Sequence, residues 1–136
     1  MTYLPTEADA PFHRMGGEAG VRAITARFYE LVEAEEPELA RIHPQGADGR
    51  ISAGARERFA TFLVEWTGGP QIYSPEHGGP MLRRRHADLP VDLAMKNAWM
   101  RCMMQALEEA GVAAEVREVL AARFDEIGEN LRNIKE

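Results

Sequence analysis

Apolar residues recur at helical spacing along four separate stretches, and nowhere does the chain alternate apolar and polar residues as a half-buried strand does. Val21, Ile24, Phe28, Leu31 and Val32 mark one face of a helix expected from Gly17 to about Ala34. Ile51, Ala55, Phe59, Phe62, Leu63 and Trp66 form a second face, rich in aromatic rings. A third long helix is expected from Leu93 to Ala110, with Asp92 as N-cap and Gly111 as its stop. A fourth, from Ala114 to Asn133, lines up Val116, Leu120, Phe124, Ile127 and Leu131. Pro37 opens a short helix, "PELARI", because a first-turn proline gives up no hydrogen bond. The stretch "TGGPQIYSPEHGGP" carries three prolines and four glycines and is expected to be irregular, and "MLRRRHA" then makes a short helical turn ended by Pro90. The fold class is all-α.

At 136 residues the chain is long enough for one core without staples. Residues 1–15 are expected to form an N-terminal extension with weak structure of its own, and 16–136 the domain proper. A net charge of −6 argues against a nucleic-acid binder, which needs a basic face. Cys102 is the only cysteine, so an internal disulfide and a thiolate cluster are excluded. The four histidines, His13, His43, His77 and His86, show no i, i+4 pairing of the kind a helical zinc site uses. No apolar run approaches the roughly 18 residues of a membrane span, and "MTYLPTEADAPF" is no secretory signal; a cytoplasmic chain is expected.

Against that acidic background, "PMLRRRHADLP" sets three arginines directly before His86, with Leu82 and Leu89 as apolar flanks. Arginine pairs with carboxylates and phosphates in fork geometry and stays charged in any surroundings. The segment therefore fits a solvated cationic patch, a phosphate contact, or the propionates and iron of a haem. Trp99 lies on the next long helix, and Tyr29 beside Phe28 on the first; both are either packing residues or inward-facing donors. His43 follows the short helix, where an exposed turn residue is the ordinary occupant. Met95, Met100, Met103 and Met104 are read as core packing, and Glu35, Glu36, Glu108 and Glu109 as solvated helix-end charge.

The strings "RFYELV", "FLVEWTGGPQIYS" and "HGGPMLRRRHADLPVDLAMKNAWMRCM" occur in that order, and with them the chain resembles the group II truncated haemoglobins from about Gly16 to Ala110. The resemblance implies a two-over-two helical sandwich around one haem b. His86 matches the proximal iron ligand, Tyr29 the distal tyrosine and Trp99 the tryptophan that marks the group. His43 and Ala55 match two further distal positions. Phe59, Phe62, Leu63, Met81 and Leu82 are then expected against the haem, with Tyr73 and Arg85 near its propionates. The chain departs from the family where Gly78, Gly79 and Pro80 stand in place of a frequent Gly-His-Pro.

If the resemblance holds, up to three hydrogen-bond donors, Tyr29, Trp99 and His43, surround a diatomic ligand, and the imidazole makes the pocket pH-sensitive. Three functions stay open: a haem protein that binds dioxygen or another diatomic ligand reversibly, a haem-dependent redox enzyme such as a weak peroxidase or a nitric-oxide detoxifier, and a haem-free helical interaction domain. An unknown reductase and a second copy of the chain stay open as partners.

Overall fold

The structure, a computed structural model, describes residues 3–78 and 82–134, with the side chains of Arg83 and Arg85 outside that description. Its helices are α1 (Pro11–Arg14), α2 (Gly17–Glu35), α3 (Pro37–Arg41), α4 (Ala53–Trp66), α5 (Ser74–His77), α6 (Leu82–His86), α7 (Leu93–Glu109) and α8 (Ala114–Leu131). Among the described residues the only extended pairing is an isolated bridge between Gln45 and Ile51. The all-α expectation holds.

Helices α2 and α8 bury much of the face that their spacing marks, whereas α4 buries Ala60, Thr61 and Val64 beside Ala55 and Leu63 and leaves Phe59, Phe62 and Trp66 half-buried. Val21, Ile24, Phe28 and Val32 of α2 are buried together with Leu63 and Val64 of α4, Met103 and Leu107 of α7, and Val116 and Leu120 of α8. The pairs α2/α4 and α7/α8 pack internally, and α2 lies on α7, giving two layers of two helices. Asp92 caps α7 by accepting from Met95 N at 2.8 Å, as its position before the apolar run requires. Ser52 does the same for α4, accepting from Ala55 N at 3.2 Å.

Four local features differ from the sequence expectation. Ile51 lies outside α4, because its amide donates to Glu33 Oε2 at 3.1 Å. The Gly/Pro-rich connection contains α5, whose first residue is held by Glu65: Ser74 N donates to Oε1 at 3.0 Å and Ser74 Oγ to Oε2 at 2.5 Å. Helix α8 stops at Leu131, and Asn133 turns away to bond residues 86–91.

The fourth difference is at the N-terminus, which is docked. Tyr3 is buried and its hydroxyl donates to Asp9 O at 2.7 Å. Phe12 N donates to Thr67 O at 2.9 Å, and Arg14 pairs with Asp9 and reaches Glu115 on α8 at 3.6 Å. The socket needs bare backbone. A Cβ on Gly69 would lie 2.5 Å from the Phe12 ring and 2.7 Å from Val64 O, and one on Gly68 would lie 2.5 Å from Ala10 Cβ.

Candidate functional site

Between the two layers lies a cavity of about 740 Å³, within the roughly 300–1,000 Å³ that small-molecule and cofactor sites occupy. Tyr29 of α2, Ala55 and Phe59 of α4, Trp99 of α7 and His43 from the loop after α3 line one part. Leu82 and His86 of α6, Leu89 and Val91 line another, while Phe62, Tyr73 and the α8 residues Phe124, Ile127 and Leu131 complete the walls. Residues far apart in sequence thus share one space. Met81 and the Arg85 side chain lie outside the described residues. Leu63 is brought elsewhere: one step round α4 from Phe62, it is wholly buried in the core and takes no part in the cavity wall.

An interlocked set of rings fixes the polar groups. Phe28 meets Tyr29, Phe59 and Trp99 at centroid distances of 5.1, 5.5 and 5.3 Å. Tyr29 stands edge-on to His43 at 5.7 Å and to Phe59 at 5.8 Å, and Trp99 stands edge-on to Phe124 at 5.0 Å. Behind Tyr29, the Arg56 guanidinium lies over the ring at 5.3 Å. Glu33 holds that arginine, accepting from Arg56 Nη2 at 2.6 Å, while Arg56 Nε donates to Ile51 O at 2.9 Å.

Tyr29 is 3% exposed. Burial pushes its phenol well above the ordinary value against the opposing pull of Arg56 and Arg58, so it remains a neutral O–H donor. No hydrogen bond joins its hydroxyl to another of the described residues.

The two cavity imidazoles are wired alike. His86 Nδ1 lies 2.7 Å from Leu82 O, and His43 Nδ1 lies 2.8 Å from Leu39 O. A carbonyl can only accept, so each Nδ1 carries the proton, and in the neutral ring each Nε2 keeps its lone pair. For His86 this leaves a Lewis base on the cavity wall. For His43 it revises an expectation. Burial, opposed by the Leu39 contact and reinforced by His86 and Arg56, holds its pKa below the ordinary 6.5. A neutral His43 with Nδ1 engaged offers an acceptor at Nε2, so the three expected donors become two, Tyr29 and Trp99.

Arg58 is a charged wall residue that sequence reasoning passed over. It lies three residues after Ala55 and four before Phe62, hence on the same helical face, and that spacing was the available signal. The other wall cation, Lys96, is tied to Asp125 at 2.8 Å and Glu129 at 2.6 Å.

A haem requires an apolar slot of this size, one nitrogen base for an iron already held by four pyrroles, and cationic groups for its carboxylates. The cavity supplies aromatic walls, His86 Nε2 and Arg58. The residues fit.

Comparison with known proteins agrees. The model of the bacterial-like globin family matches residues 10–133. The group 2 truncated haemoglobin YjbI of Bacillus subtilis is 36% identical over 117 residues, covering 86% of this chain and 83% of that protein. The group II 2-on-2 haemoglobin of Agrobacterium tumefaciens superposes with a TM-score of 0.84 at 32% identity, covering 97% of this chain and 100% of that one. The cold-adapted truncated haemoglobin of Pseudoalteromonas haloplanktis TAC125 gives a TM-score of 0.83 at 34% identity, covering 93% and 99%. No helix among the described residues is long and apolar enough to cross a membrane. With its two-on-two fold and an aromatic cavity that gathers Tyr29, Trp99 and His86, the chain belongs to the bacterial-like globins and, among them, to the group II truncated haemoglobins, a family of haem-based ligand binders.

Proposed function

We propose that this globin holds haem b through His86 and binds dioxygen reversibly beside Tyr29 and Trp99. The observation that carries the proposal is the His86 Nδ1–H bond to Leu82 O at 2.7 Å, which leaves Nε2 as a lone-pair donor on the wall of the cavity that Tyr29 and Trp99 also line. When bound, the haem would supply an iron able to take a diatomic ligand. The chain does the rest. Leu82 O holds the His86 ring in one tautomer and orientation. Phe59, Phe62, Leu82 and Val91 give the slot apolar walls, and Arg58, the wall cation with no acidic partner among the described residues, serves a propionate.

Tyr29 Oη and Trp99 Nε1 are neutral donors in a place where a ligand of partial negative charge gains from them. Each such bond contributes about 1–1.5 kcal/mol, so two slow ligand escape by roughly a hundredfold. His43 Nε2 is an acceptor suited to orient a hydroxyl or a water at the edge of the cavity. Slow escape favours retention and sensing over rapid delivery.

The test is spectroscopic. The protein reconstituted with haem is expected to show a strong Soret band and, once reduced, spectra that change on admitting oxygen and revert on removing it. His86→Ala is expected to lose stoichiometric haem. A normal five-coordinate ferrous spectrum in His86→Ala would overturn the assignment.

A further inference from the structure

Helix α6 has five residues, too few to be stable by its own hydrogen bonds. The turn that follows it is bonded mostly to itself: Leu89 N donates to His86 O at 3.0 Å and Ala87 N to Arg84 O at 3.4 Å, while Pro90 has no N–H to give. Among the described residues, Asn133, beyond the end of α8, bonds this segment to the body of the protein. Asn133 Nδ2 donates to Leu89 O at 2.7 Å and to His86 O at 3.3 Å. Asn133 Oδ1 accepts from Val91 N at 3.0 Å, and Asn133 N donates to Val91 O at 3.0 Å. The partners dictate which way the amide points, since two carbonyls must meet the NH₂ group and one N–H must meet the oxygen.

We propose that Asn133 is a positioning residue for His86, a C-terminal latch that fixes the backbone of the imidazole while Leu82 O fixes its ring. The inference rests on His86 being the residue that would hold the iron and adds what sets its place. Leu82 O alone does not suffice, because Leu82 and His86 belong to the same one-turn helix and move together. Asn133 supplies the external reference, and through Val91 it also joins the segment to Asp92, the cap of α7. The Asn133 side chain is exposed, so water competes for each bond, and the latch works by joining four of them in one residue.

The two halves of the amide can be separated. Asn133→Ala removes both. Asn133→Asp keeps an oxygen for Val91 N–H but turns a carboxylate oxygen toward the carbonyls of His86 and Leu89. Three measurements follow each variant: haem transfer to an excess of an acceptor globin, the iron–histidine stretching band of the ferrous protein by resonance Raman, and amide exchange at Val91 in the haem-free protein. Asn133→Ala is expected to transfer haem about tenfold faster, with a shifted or broadened stretching band and faster Val91 exchange. Asn133→Asp is expected to disturb the band and the transfer rate while Val91 keeps its protection. A lower unfolding temperature with the parent's band and transfer rate would reduce Asn133 to a stabilising contact and overturn the proposal. Should Asn133→Ala fail to fold, Asn133→Asp decides in the same way. If the parent bound haem without His86, the ligand assignment would have failed. Parent-like Val91 exchange in haem-free Asn133→Ala would show, independently of haem, that the latch does not hold.

Discussion

Replacing Tyr29 by phenylalanine is expected to move stability and ligand retention in opposite directions. The ring is 3% exposed and packed among Phe28, His43 and Phe59, and the substitution leaves those contacts in place. Only the hydroxyl goes, and it has no hydrogen-bond partner among the described residues. A hydroxyl that opens onto the cavity and has no protein partner depends on water for its bonds, and losing it costs little and can relieve up to about 1 kcal/mol. The haem-free Tyr29→Phe protein is therefore expected to be as stable as the parent or up to about 1 kcal/mol more stable, a rise of about 3–5 °C in Tm for a chain of this length. In the haem-loaded protein the same change removes a donor to the ligand, and oxygen release is expected to quicken by about tenfold. Trp99→Phe is expected to act on release in the same direction. The assays are thermal unfolding of the haem-free protein and stopped-flow oxygen release. A loss of more than about 1 kcal/mol in the haem-free variant would show that the hydroxyl is bonded within the protein, with His43 Nε2 the acceptor at hand. A release rate within about twofold of the parent for both variants would mean that neither group donates to the ligand.

Glu33→Gln is expected to cost about 1–2 kcal/mol, because the carboxylate accepts from Arg56, Arg50 and Ile51 N at 2.6, 3.2 and 3.1 Å. Burial pushes the Glu33 pKa up, but those three donors override it and hold the group below its ordinary 4.5. Its contribution is then full above that value and is lost as pH falls through the folded-state pKa, so the deficit of Glu33→Gln is expected to shrink in acid. Chemical denaturation of parent and variant across that range checks the sign. Gly69→Ala is expected to cost about 1–3 kcal/mol, since the added carbon would lie 2.7 Å from Val64 O, a backbone atom that cannot swing aside, and 2.5 Å from the Phe12 ring. Thermal unfolding measures it.

The long helices were legible because burial writes itself into sequence as a period, most fully in α2, while α4 turns part of its marked face to the cavity. Asp92 was readable as a cap because capping is a local geometry. Tyr29, His86 and Trp99 stood out through motif order, a signal that locates residues without describing their surroundings. What could not be read was set by how side chains turn and how helices are placed. The Leu39 carbonyl, four residues back, decides which nitrogen of His43 bears the proton, and that depends on a ring orientation that residue spacing does not announce. Leu63 and Phe62 are equally apolar neighbours, and only the placement of α4 turns one into the core and the other to the cavity. Arg58 was overlooked because the arginine cluster drew the reading toward residues 83–85, although the face it shares with Ala55 and Phe62 was there to be counted. Asn133 was read as the last residue of a helix, where it is the residue that leaves it.

The socket at Gly68 and Gly69 also bears on the order in which this chain assembles. The segment around α1 has nothing to bind until distant partners are in place: Phe12 needs the Thr67 carbonyl, and Arg14 needs Glu115. Contacts so distant along the chain carry a large loop-closure cost and form late. Helices α2 and α4 can meet through a shorter loop, and α8 completes the second attachment point. The α1 socket therefore closes only once the α2/α4 pair and α8 are in place.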